Sequence, residues 1–108
     1  MSIHSVYVTY ANLEEAERIG RQMIEERLAA CVNILGPCRS IYRWQAAIET
    51  ADEVAALFKT TEGNLSVLMD RIRQLHSYEV PAIAAWPVAD APKCFVDWVE
   101  QSSDYMPG

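Results

Sequence analysis

The densest chemistry in the chain sits in "LHSYEVP", residues 75–81. His76 and Glu79 are both competent metal ligands, and a loop leaving a helix between them would let them approach one ion. Two ligands do not complete a site. The same residues also read as a helix end, with His76 in a last turn where positive charge meets the helix dipole. Tyr78 and Glu79 would then be loop or interface polar groups. Cys31, in "LAACVNI", offers a thiolate suited to a soft ion such as Cu(I), and equally reads as a small hydrophobe in a buried strand. Lys59 is the only charge between Val54 and Thr60. On the parity of Ala55 and Leu57, it either faces an anion in a pocket or snorkels to the strand end.

Other chemistries find little support. Cys38 and Cys94 complete an odd set of three cysteines without CxxC spacing, which argues against a disulfide framework and a cysteine-only zinc site. No GxGxxG, GxxxxGK[ST] or GxSxG occurs. A Cys31–His76 nucleophile would need a strand cysteine that is normally inert. The expectation is therefore a protein that is not an enzyme. The net charge of −6 disfavours nucleic acid and anionic membrane surfaces as partners. "MSIHSVYVTY" lacks a basic start followed by an apolar core, and no apolar run reaches ~20 residues. A cytoplasmic location is expected.

The elements that must position these groups are readable from periodicity. Val6, Val8 and Tyr10 share a strand face. Asn12 caps a helix over 13–30, with an apolar stripe at Leu13, Ala16, Ile19, Met23, Ile24 and Leu28. Its acidic residues Glu14, Glu15, Glu17, Glu25 and Glu26 read as a solvated face. "ACVNIL" is a short strand ended by Gly36-Pro37. Residues 38–49 alternate, with Tyr42, Trp44, Ala46 and Ile48 on one side. Thr50-Ala51-Asp52 turns the chain into a strand over 53–60, closing a hairpin. A second helix covers 60–77 and ends before Pro81. "AIAAWPV" reads as an edge strand, because Pro87 cannot donate to a ladder. A C-terminal helix points Cys94, Phe95, Trp98 and Val99 inward. Trp44, Trp86 and Trp98 read as core or interface. Residues 103–108 read as a frayed tail.

With 108 residues the chain is one domain, 1–108. Two helices among strands, with a hairpin between, predict an α+β fold: a ferredoxin-like split β-α-β sandwich with a long central β-hairpin and a C-terminal helix. A twelve-residue strand spans about 36–40 Å, against a domain diameter of roughly 34 Å. The hairpin must bend or project. Its apolar tip, the two-faced apolar strand that returns from it and a 51% hydrophobic composition predict a homo-oligomer.

In this order, "RLAACVNI" (27–34), "SIYRW" (40–44), "EVAALFKT" (53–60), "LHSYEVP" (75–81) and "FVDWV" (95–99) resemble the CutA family of divalent-cation tolerance proteins. The resemblance implies a homotrimer and a link to copper and other divalent cations. It points to His76, Glu79 and Cys31 as metal ligands, with Tyr42, Trp44, Lys59 and Tyr78 at a cleft between subunits. The chain departs from the family pattern twice. "WEGK" becomes "WQAA" over 44–47, and "HPYEVPE" becomes "HSYEVPA" over 76–82, so Gln45 and Ala82 stand where carboxylates would. A PII-like sensor of a small anionic ligand is an alternative by fold analogy, as is a structural trimer.

Overall fold

The computed structural model describes residues 2–107. The elements run β1 (Ile3–Tyr10), α1 (Leu13–Glu25), β2 (Cys31–Trp44), β3 (Ala47–Thr61), a 3-10 turn (Glu62–Asn64), α2 (Leu65–Leu75), β4 (Ile83–Pro87) and α3 (Lys93–Ser102). The sheet is ordered β2-β3-β1-β4, and every neighbouring pair is antiparallel. This is the expected ferredoxin-like α+β arrangement.

β1 is central, with a strand paired along each of its edges. Val6, Val8 and Tyr10 point into the main core with Ala56 and Phe58 of β3, Ile19 and Met23 of α1, and Leu68 and Ile72 of α2. Alternation sends Ser5, Tyr7 and Thr9 to the opposite face. There α3 closes one end with a smaller core of Ile3, Ala30 and Val99. Helix α1 approaches the sheet closely: a Cβ on Gly20 would lie 3.1 Å from Val32 Cγ1. The Asn12 side chain accepts from the Glu15 N–H at 2.8 Å, as its cap position predicts. The other end of α1 closes through Arg27 at φ 63°, with Arg27 and Leu28 donating to Ile24 and Met23 carbonyls. That pairing is a Schellman motif.

Several boundaries differ from those expected. Gly36-Pro37 does not end a strand. It sits at a β-bulge between Ile34 and Gly36, where Gly36 takes φ 102° and absorbs the extra residue. The two expected strands are therefore one fourteen-residue strand, β2. The hairpin turns at Gln45-Ala46 rather than at 50–52. Both residues have positive φ, 48° and 69°, which is the left-handed pair of a type I′ turn. Moving the turn moves Ile48 to the face opposite Tyr42 and Trp44, with Ile41 as its face-mate. α1 stops at Glu25, and α2 starts only at Leu65. Cys94 is exposed rather than inward, and Trp44, Trp86 and Trp98 are exposed in the single chain. The tail is held further than expected: Ser103 is buried, its carbonyl accepts from Asn64, and Tyr105 packs on the main core. Gly108 lies outside the described residues.

The long axis of the chain is 44 Å against 31 and 22 Å for the others. The hairpin accounts for this shape, since fourteen residues of β2 span about 46 Å. Among the described residues, no helix is long and apolar enough to cross a membrane.

Ala46 carries a Cβ in a left-handed conformation that costs about 1 kcal/mol or more. Ala46→Gly is expected to raise stability by about 0.5–1 kcal/mol in urea unfolding at fixed protein concentration. A loss of stability would show that this turn is not the one the protein uses.

Candidate functional site

The loop after α2 is fastened at three points. His76 caps α2, its backbone N–H donating to Ile72 at 2.9 Å, and turns extended at ψ 143°. The Tyr78 N–H donates to His76 Nδ1 at 3.1 Å. That nitrogen must be bare, so Nε2 bears the hydrogen and donates to the Thr9 carbonyl at 2.8 Å. The ring is buried and stacks on Tyr10, with centroids 5.0 Å apart and planes 11° apart. Both imidazole nitrogens are therefore committed within the chain.

Glu15 supplies the third point. Expected on a solvated face, it is buried. One carboxylate oxygen accepts from the Ala11 N–H at 3.1 Å, the other from the Ser77 N–H at 2.8 Å. Burial pushes its carboxyl up, but the Ser77 and Ala11 hydrogen bonds and nearby His76 outweigh it and hold Glu15 below the ordinary 4.5. The signal was present in sequence: a glutamate three residues after the N-cap is capping-box spacing. Glu26, assigned to the same solvated face, is half-buried and paired with Arg71 at 2.9 Å.

So held, the loop walls one side of a cleft of about 720 Å³. The other walls are Tyr7 and Thr9 of β1, Ser40, Tyr42 and Trp44 of β2, and Glu49 and Glu53 of β3. Strand alternation puts these on the sheet face away from the main core, and Tyr42 sits opposite Glu49 in the register. Ser77, Tyr78, Glu79, Val80 and Ala82 complete it. The Tyr78 hydroxyl donates to buried Glu53 at 2.8 Å. Burial pushes the Tyr78 phenol well above its usual range, and Glu53 adds to the shift.

The structure thus brings Tyr42, Trp44, Tyr78 and Glu79 to one cleft. It does not bring Lys59 or Cys31 there. Those two are cross-strand partners near the α3 end of the same face. Lys59 in turn sits opposite Ser5, whereas His76 bonds Thr9. Four residues along β1 and two strands across, Cys31 lies roughly 16 Å from His76. Burial pushes the Cys31 thiol up, partly offset by Lys59. Among the described residues, no three of His, Cys, Asp and Glu are placed to hold one metal ion. Sequence reasoning missed Tyr7, Glu49 and Glu53 as cleft residues. Glu49 was seen on the other side of the strand because the turn was misplaced.

Residues 4–102 match the family profile described as CutA1 divalent ion tolerance protein. The chain belongs to the CutA1 family. It is 40% identical, over 97 residues, to the divalent-cation tolerance protein CutA of Archaeoglobus fulgidus, covering 90% of this chain and 94% of that one. The solved structure described as the periplasmic divalent cation tolerance protein CutA of A. fulgidus superposes with a TM-score of 0.90 at 39% identity, over 94% and 98% of the two chains. CutA from Xylella fastidiosa superposes with a TM-score of 0.93 at 34% identity, over 96% and 100%.

The CutA pattern given above has proline at 77. A proline there has no N–H and could not donate to Glu15. His76 is already in a conformation that precedes proline comfortably. Ser77→Pro is expected to lower stability at pH 7 by about 1 kcal/mol, whereas Ser77→Ala keeps the N–H and costs less. The acid response separates the causes. Because the folded carboxyl of Glu15 titrates below its unfolded value, its contribution is complete above about pH 4.5 and is lost as pH falls through the folded value. Melting curves from pH 7 to 3 should flatten in Glu15→Gln. Equal acid slopes in the wild type and this variant would remove Glu15 from that role.

Proposed function

We propose that this protein is a non-enzymatic divalent-cation tolerance protein that works as a homotrimer and binds copper or another divalent ion at the boundary between chains. The observation that carries the reading is the hairpin. Ile41 and Ile48 are 70% and 69% exposed on one face of it, and Tyr42 and Trp44 are exposed on the other. A monomer gains nothing from apolar groups on both faces of a projecting ribbon. Second and third copies of the chain covering them would. The names of the CutA relatives supply the divalent-cation part of the reading.

Within this reading Glu79 is an exposed carboxylate that the loop offers at the cleft. His76 shapes the loop, since ligation would cost it one of two hydrogen bonds. Cys31 would serve a soft ion only separately, across the sheet face. A single chain offers too few ligands, so the ion site is completed by a neighbouring copy. The anion-sensor alternative draws no support from the cleft, whose lining among the described residues includes carboxylates but no Lys, Arg or His. The three free cysteines favour a reducing compartment, hence the cytoplasm. Cell fractionation checks this against the periplasmic description of the A. fulgidus protein.

Light scattering at micromolar concentration is expected to give three times the 12.2 kDa chain mass, and Ile48→Lys to lower it. A monomeric wild type would sink the assembly. Calorimetry with Cu(II) should show saturable binding that weakens about tenfold or more in Glu79→Gln. Unchanged binding would take Glu79 out of the site.

A further inference from the structure

The last residues of the chain cross from one side of the sheet to the other. Val99 belongs to the small core with Ile3 and Ala30, on the face away from α1 and α2. Tyr105, six residues on, packs against the main core beneath those two helices. Between them the chain rounds the end of the sheet. Ser103 is the corner. It is buried, its hydroxyl donates to the Val99 carbonyl in the last turn of α3, and its own carbonyl accepts from the Asn64 side chain at 2.6 Å.

Asn64 shows what this crossing costs locally. It occupies the N-cap position of α2, where an asparagine ordinarily accepts from the free N–H groups of its own helix. Here it makes no such bond. Its amide is turned instead to Ser103, 39 residues away in sequence. Asp104 adds an ion pair to Arg27 at 2.9 Å, but both side chains are more than half exposed, and such pairs contribute little. The closure therefore depends on the Asn64 bond and on Tyr105.

α3 has little else to hold it. At ten residues it is below the ~12–15 at which a helix becomes marginally stable alone. Its N-terminus has no side-chain cap. Val99 is its buried residue, with Phe95 and Val96 partly covered. The helix lies on the side of the sheet that neighbouring copies cover in the reading above, and it carries Trp98, exposed in the single chain. An α3 swung off the sheet would uncover Ile3 and Ala30 and change the surface that a neighbour must match.

We propose that residues 103–107 are a strap. Closed, it holds α3 on the sheet. Open, it releases α3 as a unit while β1 and β3 stay folded, and a chain in that form does not assemble. The first part stands on the single chain; the second rests on the homotrimer reading.

The test is hydrogen exchange of the full-length protein, read by mass spectrometry, with light scattering on the same samples. In the wild type the α3 amides should exchange together, about tenfold or more ahead of those of β1 and β3. In Asn64→Ala/Tyr105→Ala they should approach the exchange of an unstructured chain, with β1 and β3 still protected. The scattering mass of that variant at micromolar concentration should fall below the wild-type value. The strap is overturned if wild-type α3 exchanges only in step with β1 and β3. It is equally overturned if the double variant keeps wild-type protection in α3, or loses β1 and β3 along with it. An unchanged scattering mass with α3 released would overturn the link to assembly. A monomeric wild type would remove the trimer reading and that link with it, while the exchange pattern alone decides the strap.

Discussion

The carboxylate of Glu15 is the point from which the cleft hangs. One oxygen finishes the N-terminus of α1 through Ala11, and the other holds the Ser77 N–H of a loop 62 residues away in sequence. Without that second bond the loop would lose one of its anchors and rest on the His76 imidazole and the Tyr78 hydroxyl. With it, Tyr78 is delivered to Glu53, and the open side of the sheet acquires a wall. Local helix chemistry and long-range site geometry thus share one side chain. This explains why a charged residue is tolerated in a buried position: both oxygens are satisfied, and the N-terminal helix dipole favours negative charge.

His76 illustrates how residue type can mislead. In sequence it is an obvious ligand, because imidazole is the commonest metal-binding group. In the fold its nitrogens are used up by Thr9 and Tyr78, and its face by Tyr10. The stretch that looked like the site is mostly scaffold for it. The carboxylates that join Glu79 at the cleft, Glu49 and Glu53, are of plainer appearance and become neighbours of Tyr42 and Tyr78 only through strand register and a hydrogen bond.

Periodicity made much of the fold legible. β1, the Asn12 cap, β4 at the edge and α3 all follow from short-range signals, and the sheet order follows from the sequence of elements. What failed were the places where the chain uses unusual residues for ordinary jobs. Gln45 and Ala46 make a left-handed turn without glycine, so Thr50-Ala51-Asp52 offered the more familiar turn composition. Gly36-Pro37 has the composition of a break but serves as a bulge inside a continuous strand. Moving the turn from Thr50-Ala51-Asp52 to Gln45-Ala46 was enough to exchange the faces of Ile48 and Glu49. In the cleft, Tyr42, Trp44, Tyr78 and Glu79 were legible through motif resemblance. Glu53 and Tyr7 were not, because nothing local marks a residue that matters through its cross-strand neighbours.

The sheet order leaves β2 as an outer strand, and it is fourteen residues long. One of its margins is a row of backbone donors and acceptors with no strand beside it among the described residues of the single chain. A newly synthesised copy is therefore adhesive before it is assembled, and its correct partners compete with any other extended segment. Arg43, near the end of that strand, acts as a gatekeeper: a stray strand would have to accommodate its charge, while a specific partner can leave it in water, and Arg39 is already matched by Asp52. The length that gives the hairpin its reach also makes the timing of assembly a condition of solubility.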